Sequence, residues 1–191
     1  TQTQPPPPPP TLFPYTTLFR SNGIASEKEF TIVKDPRLPN TEADFKNQFD
    51  FLIKVRDQVS KANQAIIDIR SVKKDLDYLK KKVTSDEEFK KLLDEFEARL
   101  NQVENRIHMT KNQSRQDPLN YGIRINNRLA FLMSDSQRGD YPPTDQALAF
   151  FEDIKKELDI EINSLNSLFE AYINKINSRV LDKQIKMIST N

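Results

Sequence analysis

Residues 41–83 read TEADFKNQFDFLIKVRDQVSKANQAIIDIRSVKKDLDYLKKKV. Within them Leu52, Val55, Val59, Ala62, Ile66, Ile69, Val72, Leu76, Leu79 and Val83 recur at alternating threes and fours, with one slip at Val72. That spacing lays an apolar stripe along one face of a helix. No Gly or Pro interrupts it, and Thr41 followed three residues later by Asp44 resembles a capping-box start. At 1.5 Å per residue such a helix is roughly 64 Å long. A rod of that length cannot bury its stripe against itself, so the stretch predicts partners running beside it.

The downstream sequence supplies them. Lys80, Lys81 and Lys82 place positive charge at the end of the first helix, the sign its dipole favours. Ser85 is the expected N-cap of a second helix, with Asp86, Glu87 and Glu88 in its first turn. Phe89, Leu92, Leu93, Phe96, Leu100, Val103 and Ile107 form its stripe, which fades into the polar loop TKNQSRQD. Asp117-Pro118 opens a third helix, with Pro in the first turn. Leu119, Ile123, Ala130 and Met133 make one apolar row there, and Ile125, Leu129 and Leu132 a second, which predicts a short helix embedded between neighbours. Gly139 ends it, and Thr144 is the expected N-cap of a fourth helix. The stripe of that helix runs from Ala147 through Phe151, Leu158, Leu165 and Tyr172 to Val180. The expected fold is all-α: an antiparallel up-down four-helix bundle over residues 41–183. Its first and last helices form a long antiparallel pair, and residues 184–191 form a frayed tail.

The N-terminal part reads differently. Residues 5–10 are a proline run, suited to a polyproline II segment. Residues 11–21, TLFPYTTLFRS, match the translation of a common sequencing-library adapter, so residues 1–21 are expected to be an artefactual, disordered leader arising from assembly contamination. In residues 22–40, Phe30, Thr31, Ile32 and Val33 favour an orphan β-strand left from an upstream β domain, closed by Asp35-Pro36. The two prolines of DPRLPN stiffen the turn into the first helix.

Composition excludes several classes of chemistry. The 29 Lys+Arg nearly cancel the 28 Asp+Glu, and a balance of +1 creates no field to hold a phosphate backbone, so nucleic acid is not an expected partner. The absence of Cys removes disulfides, thiolate catalysis and zinc-thiolate sites. Three glycines in 191 residues leave no Gly-rich phosphate loop. No apolar run approaches the length of a bilayer span. His108 is the single histidine; Glu104 lies four residues before it, but a carboxylate-bridged di-metal bundle needs a second such motif. No catalytic residue, cofactor or metal is therefore expected. The polar residues that stand out are Asn63 and Arg70, seven apart beside the first stripe, and Asn126 with Asn127 inside an apolar row. Buried amides demand partners, so these four form a candidate structural polar network that fixes bundle register.

Two segments carry a resemblance: residues 30–70, FTIVKDPRLPNTEADFKNQFDFLIKVRDQVSKANQAIIDIR, and residues 118–159, PLNYGIRINNRLAFLMSDSQRGDYPPTDQALAFFEDIKKELD. They resemble the C-terminal region of bacterial sortilin-like β-propeller proteins, often labelled BNR-repeat glycosyl hydrolases. The strand–DPR–helix order, the LNYGIRINNRLA helix and the GDYPPTDQA turn are the matching parts. The resemblance covers about residues 28–175 and lacks the propeller, where any activity of such a parent would lie. It implies a non-catalytic interaction or scaffolding module of an exported protein acting in the bacterial cell envelope or outside the cell. Its partner would be protein, either its own upstream β domain or another chain. The alternatives are a fragment of a glycoside hydrolase and a free-standing coiled-coil adaptor.

Overall fold

The computed structural model describes residues 15–83 and 85–185, with side chains from residue 21 onward. The chain divides into two compact units, residues 1–41 and 42–191. The leader's residues 1–14 and the tail's residues 186–191 lie outside the described part.

In the first unit the strand expected at Phe30 to Val33 lies earlier and has a partner. Strand β1 (Tyr15–Ser21) pairs antiparallel with β2 (Ile24–Phe30), from Ser21 opposite Ile24 to Tyr15 opposite Phe30. The turn between them is Asn22-Gly23, with φ of +50° and +82°. Both central residues at positive φ make a type I′ turn, whose twist suits a two-residue hairpin and which Asn-Gly adopts readily. The turn therefore sets the register, and the β-branched run Thr31 to Val33 falls beyond the ladder. Beyond it Asp35 closes its own turn. Its carboxylate accepts from the backbone N–H of Arg37 at 2.9 Å and from the Arg37 guanidinium at 2.6 Å, and the Leu38 N–H reaches the Asp35 carbonyl at 3.1 Å. The Arg37 side chain and then its N–H hold the Asp35 carboxyl below the usual carboxylate range.

The second unit is an all-α helical bundle. The long stripe is helix α1 (Glu42–Lys82), and the second stripe is α2 (Glu87–Ile107). Its N-cap is Asp86 and not the expected Ser85: the Asp86 carboxylate accepts from the Phe89 N–H at 2.9 Å. The third segment is broken in two. One turn of helix, α3 (Pro118–Tyr121), stops at Gly122, whose φ of +75° leaves the helical region, and α4 (Ile125–Ser136) begins afresh. Only one of the two apolar rows expected on this segment is fully buried: Ile125, Leu129 and Leu132 pack inward, whereas in the other Leu119 is 88% and Ile123 55% exposed and Met133 is half-buried. α5 (Asp145–Asp182) starts as expected, with Thr144 Oγ1 accepting from the Ala147 N–H at 3.1 Å.

The bundle is not wound in the expected up-down-up-down order. Lys80 meets Asp94 and Glu97 while Arg70 and Lys73 meet Glu104, so α1 and α2 are antiparallel. Gln48 reaches the carbonyls of Ser136 and Gly139, and Val55 packs with Leu132, so α4 also runs against α1. α2 and α4 thus descend one after the other. α5 then climbs beside both: Arg128 holds Glu157, Tyr172 Oη donates to Glu95 at 2.6 Å, and Lys183 pairs with Asp86 at 2.6 Å. Phe51 lies edge-to-face on Phe151 at 5.6 Å and Lys61 bonds Asp159 at 2.6 Å, so the two long helices run parallel. The reason lies in the connection between α2 and α4. Residues 108–124 carry the chain onward instead of folding it back, and two short helices end to end cover what neither covers alone.

The core follows this plan in two clusters. The larger joins Ile66, Ile69 and Leu76 of α1 to Phe89, Phe96 and Leu100 of α2 and to Leu158 and Tyr172 of α5. Phe96 and Tyr172 stack there at 4.8 Å. The smaller unites Phe51, Val55, Leu132 and Phe151.

Leu129→Ala should lower stability by about 2–5 kcal/mol, as expected for a buried leucine. Leu119→Ala should stay within about 0.5 kcal/mol. Equal losses in urea titration would show that α4 does not pack through Leu129. The helix directions are open to a second measurement, because a chain without Cys takes site-directed spin labels cleanly. A label at Lys54 should lie about 30 Å nearer along the bundle to one at Lys156 than to one at Ser178. The reverse order would restore an antiparallel long pair.

Candidate functional site

On α2, Leu100, Val103 and Ile107 face the core, and Glu104 falls in the same three-four rhythm. Its side chain is therefore carried inward and is only 2% exposed. Burial of an unpaired carboxylate is costly, and two cations of α1 compensate it. Arg70 Nε donates to Glu104 Oε1 at 2.8 Å, and Lys73 Nζ to Oε2 at 3.0 Å. Burial alone would raise the Glu104 pKa; the hydrogen bonds and charges of Arg70 and Lys73 outweigh it and hold the carboxyl below the usual range. The slip of the α1 stripe at Val72 lies beside these two cations.

Glu104 stands one turn before the end of α2, and the next contacts occupy the joint between α2 and α4. His108 ends α2, its backbone N–H bonded to the Glu104 carbonyl at 2.7 Å. The side-chain amide of Asn126, from the first turn of α4, lies 3.1 Å from His108 Nδ1. With Asn126 donating, that nitrogen accepts and the ring proton sits on Nε2. The Asn126 amide oxygen is buried without a partner. Asn127 Oδ1 faces the Arg124 N–H at 3.5 Å, at the start of α4. Of the four polar residues singled out in the sequence, then, Arg70 serves Glu104, Asn126 serves His108, Asn127 stands at the α4 start, and Asn63 lies exposed on α1. They are not brought into one contact. Sequence reasoning missed Glu104, although its place between Leu100 and Ile107 was a usable signal.

On the outer side of the same joint, α2, α4 and α5 border a cleft of about 270 Å³. Arg106 and Arg128 enter it already paired, Arg106 Nε with Glu161 at 2.7 Å and the Arg128 fork with both oxygens of Glu157 at 2.6 and 3.0 Å. Arg124 is the third arginine, and its Nε is buried with no hydrogen-bond partner. Ile123, Ile125 and Ile160 supply apolar wall. A second cleft, of about 530 Å³, lies between the far ends of α2 and α5, where Lys91, Lys175 and Arg179 alternate with Glu88, Glu95 and Asp182. Among the described residues no group of three His, Asp or Glu side chains could hold a metal ion, and no helix is long and apolar enough to cross a membrane.

Because the Glu104 carboxyl is held low in the folded state, its ion pairs stabilise the fold above the ordinary glutamate titration range. That stabilisation is lost as pH falls through the depressed value. Glu104→Gln should therefore flatten the decline of Tm below about pH 4.5, the usual glutamate range. An unchanged acid limb would show that Glu104 is not the group responsible. The site should also be asymmetric. Glu104→Leu should cost within about 1 kcal/mol, because Arg70 and Lys73 can turn to water. Joint Arg70→Leu and Lys73→Leu should cost about 3 kcal/mol, since it strands a buried carboxylate; the low end of the range applies because Arg70 is 57% exposed.

No protein family, no curated protein and no solved structure matches this chain.

Proposed function

We propose that this chain is a non-catalytic helical interaction or scaffolding module, the C-terminal helical region of an exported bacterial sortilin-like β-propeller protein. The observation that carries the interaction reading is a set of large apolar side chains left outside a closed core. Leu129, Leu132, Phe151, Ile154 and Leu158 are buried beneath α4 and α5, yet Phe131, Phe150, Ile123 and Ile160 stand exposed above them. Arg128 ties these exposed groups together. Its guanidinium lies 5.4 Å from the Phe150 ring, it shares the cleft with Ile123 and Ile160, and Phe131 follows one turn later on α4. Apolar groups that the fold does not need, rimmed by charge, mark a protein-facing surface. The sortilin-like origin rests on the resemblance of the two quoted segments alone.

The test has three parts. Reading the source DNA upstream of codon 22 in an independent clone should reveal a propeller-encoding frame, and a start codon immediately upstream would end the sortilin-like origin. The β domain preceding the bundle in that frame should bind it, and joint Phe131→Ser and Phe150→Ser should weaken binding about tenfold or more at unchanged helical circular dichroism. Binding insensitive to both changes would move the interface elsewhere. The chain alone should hydrolyse no aryl glycoside; turnover would overturn the non-catalytic reading.

A further inference from the structure

We infer that the cleft at the α2–α4 joint is a carboxylate-binding site that takes the C-terminal residue of a partner polypeptide, with an apolar last side chain. The inference rests on the reading of this chain as an interaction module and names the chemistry of one contact.

Charge selects the anion. The cleft holds Arg106, Arg124 and Arg128 against Glu157 and Glu161. The two glutamates are consumed by Arg106 and Arg128, the latter through both guanidinium arms. One cation remains, on Arg124, whose Nε is enclosed without an acceptor. Arg124 lines the cleft as the guanidinium that the two glutamates leave over, and a ligand carboxylate would meet it with a charge-assisted bond. The start of α4 adds to this field. Its N-cap is Arg124 itself, whose side chain offers no acceptor to the first N–H groups of the helix; the one side-chain contact there is Asn127 Oδ1 on the Arg124 N–H at 3.5 Å. A surplus of one positive charge matches a monoanion better than a phosphate near two negative charges.

Size and wall chemistry select the body of the ligand. At about 270 Å³ the cleft lies just under the usual range for small-molecule sites, so it suits one residue and not a cofactor or an oligosaccharide. Ile123, Ile125 and Ile160 offer apolar contact beside the arginine. A chain-terminal residue presents a carboxylate and a side chain from the same Cα, which is the pairing this wall requires. An internal glutamate carries its charge at the tip of its own side chain and leaves the isoleucines uncovered.

The experiment is a titration of the full chain, followed by backbone amide and arginine Nε NMR shifts. The probes are N-acetyl-leucine, N-acetyl-leucinamide, N-acetyl-glutamic acid α-methylamide and acetate. N-acetyl-leucine should shift the amides of residues 123–128 and the Arg124 Nε, and the uncharged amide should not. Arg124→Gln should weaken the response at least about tenfold, and Arg124→Lys should restore it only in part, since an ammonium lacks the planar fork. Arg124→Gln removes no cap bond, and matched circular dichroism will verify the fold. Silence towards N-acetyl-leucine, or equal shifts with its amide, overturns the site. An equal response to acetate reveals an adventitious ion only and also overturns it. A stronger response to the glutamate probe overturns the terminal-carboxylate assignment. If Arg124→Gln leaves binding of the upstream β domain intact while N-acetyl-leucine is silent, the carboxylate site fails and the interaction module stands. Loss of β-domain binding by the joint Phe131 and Phe150 variant alone leads to the same separation.

Discussion

Neither α2 nor α4 is long enough to cover the apolar faces of the helices beside it. α1 has 41 residues and α5 has 38, against 21 and 12 for the two between them. Uncovered, half of the stripe on each long helix would face water, at about 25 cal/mol for every Å² of apolar surface. Laying α2 and α4 head to tail removes that cost. It also dictates the directions of the rest: with both short helices descending, the two long ones must both ascend. The larger core cluster belongs chiefly to the α2 half, the smaller one to the α4 half, and Val59 touches both.

The arrangement has a consequence at the joint. Where one helix ends and the next begins, backbone groups lose their helical partners and the side-chain stripe is interrupted. Several polar contacts lie there. Glu104 is held by Arg70 and Lys73, His108 by Asn126, Glu161 by Arg106, and Glu157 by Arg128. A purely apolar joint would let the two short helices slide along the long ones, because dispersion contacts are non-directional. The buried Glu104, fixed by two cations of α1 at 2.8 and 3.0 Å, has only one register in which it is neutralised.

Much of the bundle was legible in the primary structure, and the reasons for the rest are physical. Period 3.6 is a local property, so the stripes of α1, α2 and α5, and the Thr144 cap, could be read from neighbours a turn apart. Helix direction is not local. It depends on whether residues 108–124 turn the chain back, and that stretch holds both a one-turn helix and Gly122 at positive φ. Its Leu119 and Ile123 were apolar enough to be read as one row with α4, yet both stand exposed. The hairpin carries the Asn22-Gly23 turn signal in plain view, but its first strand falls inside residues 1–21, the segment whose sequence matches an adapter translation. Glu104 is hard to read for a different reason: a charged residue on a helix points outward so commonly that only its cations on α1, distant in sequence, reveal why it is in phase with Leu100 and Ile107.

The joint also explains why the candidate site lies where it does. Along the middle of a continuous helix pair, ridges fill grooves, and the larger cleft between α2 and α5 opens only towards their far ends. At a break the packing opens, and the polypeptide must place there whatever satisfies two helix ends. In this chain that is three arginines against two glutamates, with isoleucines filling the gap. The surplus guanidinium and the exposed Phe131 and Phe150 are thus outcomes of one structural solution. The discontinuity that lets short helices sheathe long ones leaves a stretch of the α4–α5 surface where charge, exposed aromatic rings and open space coincide.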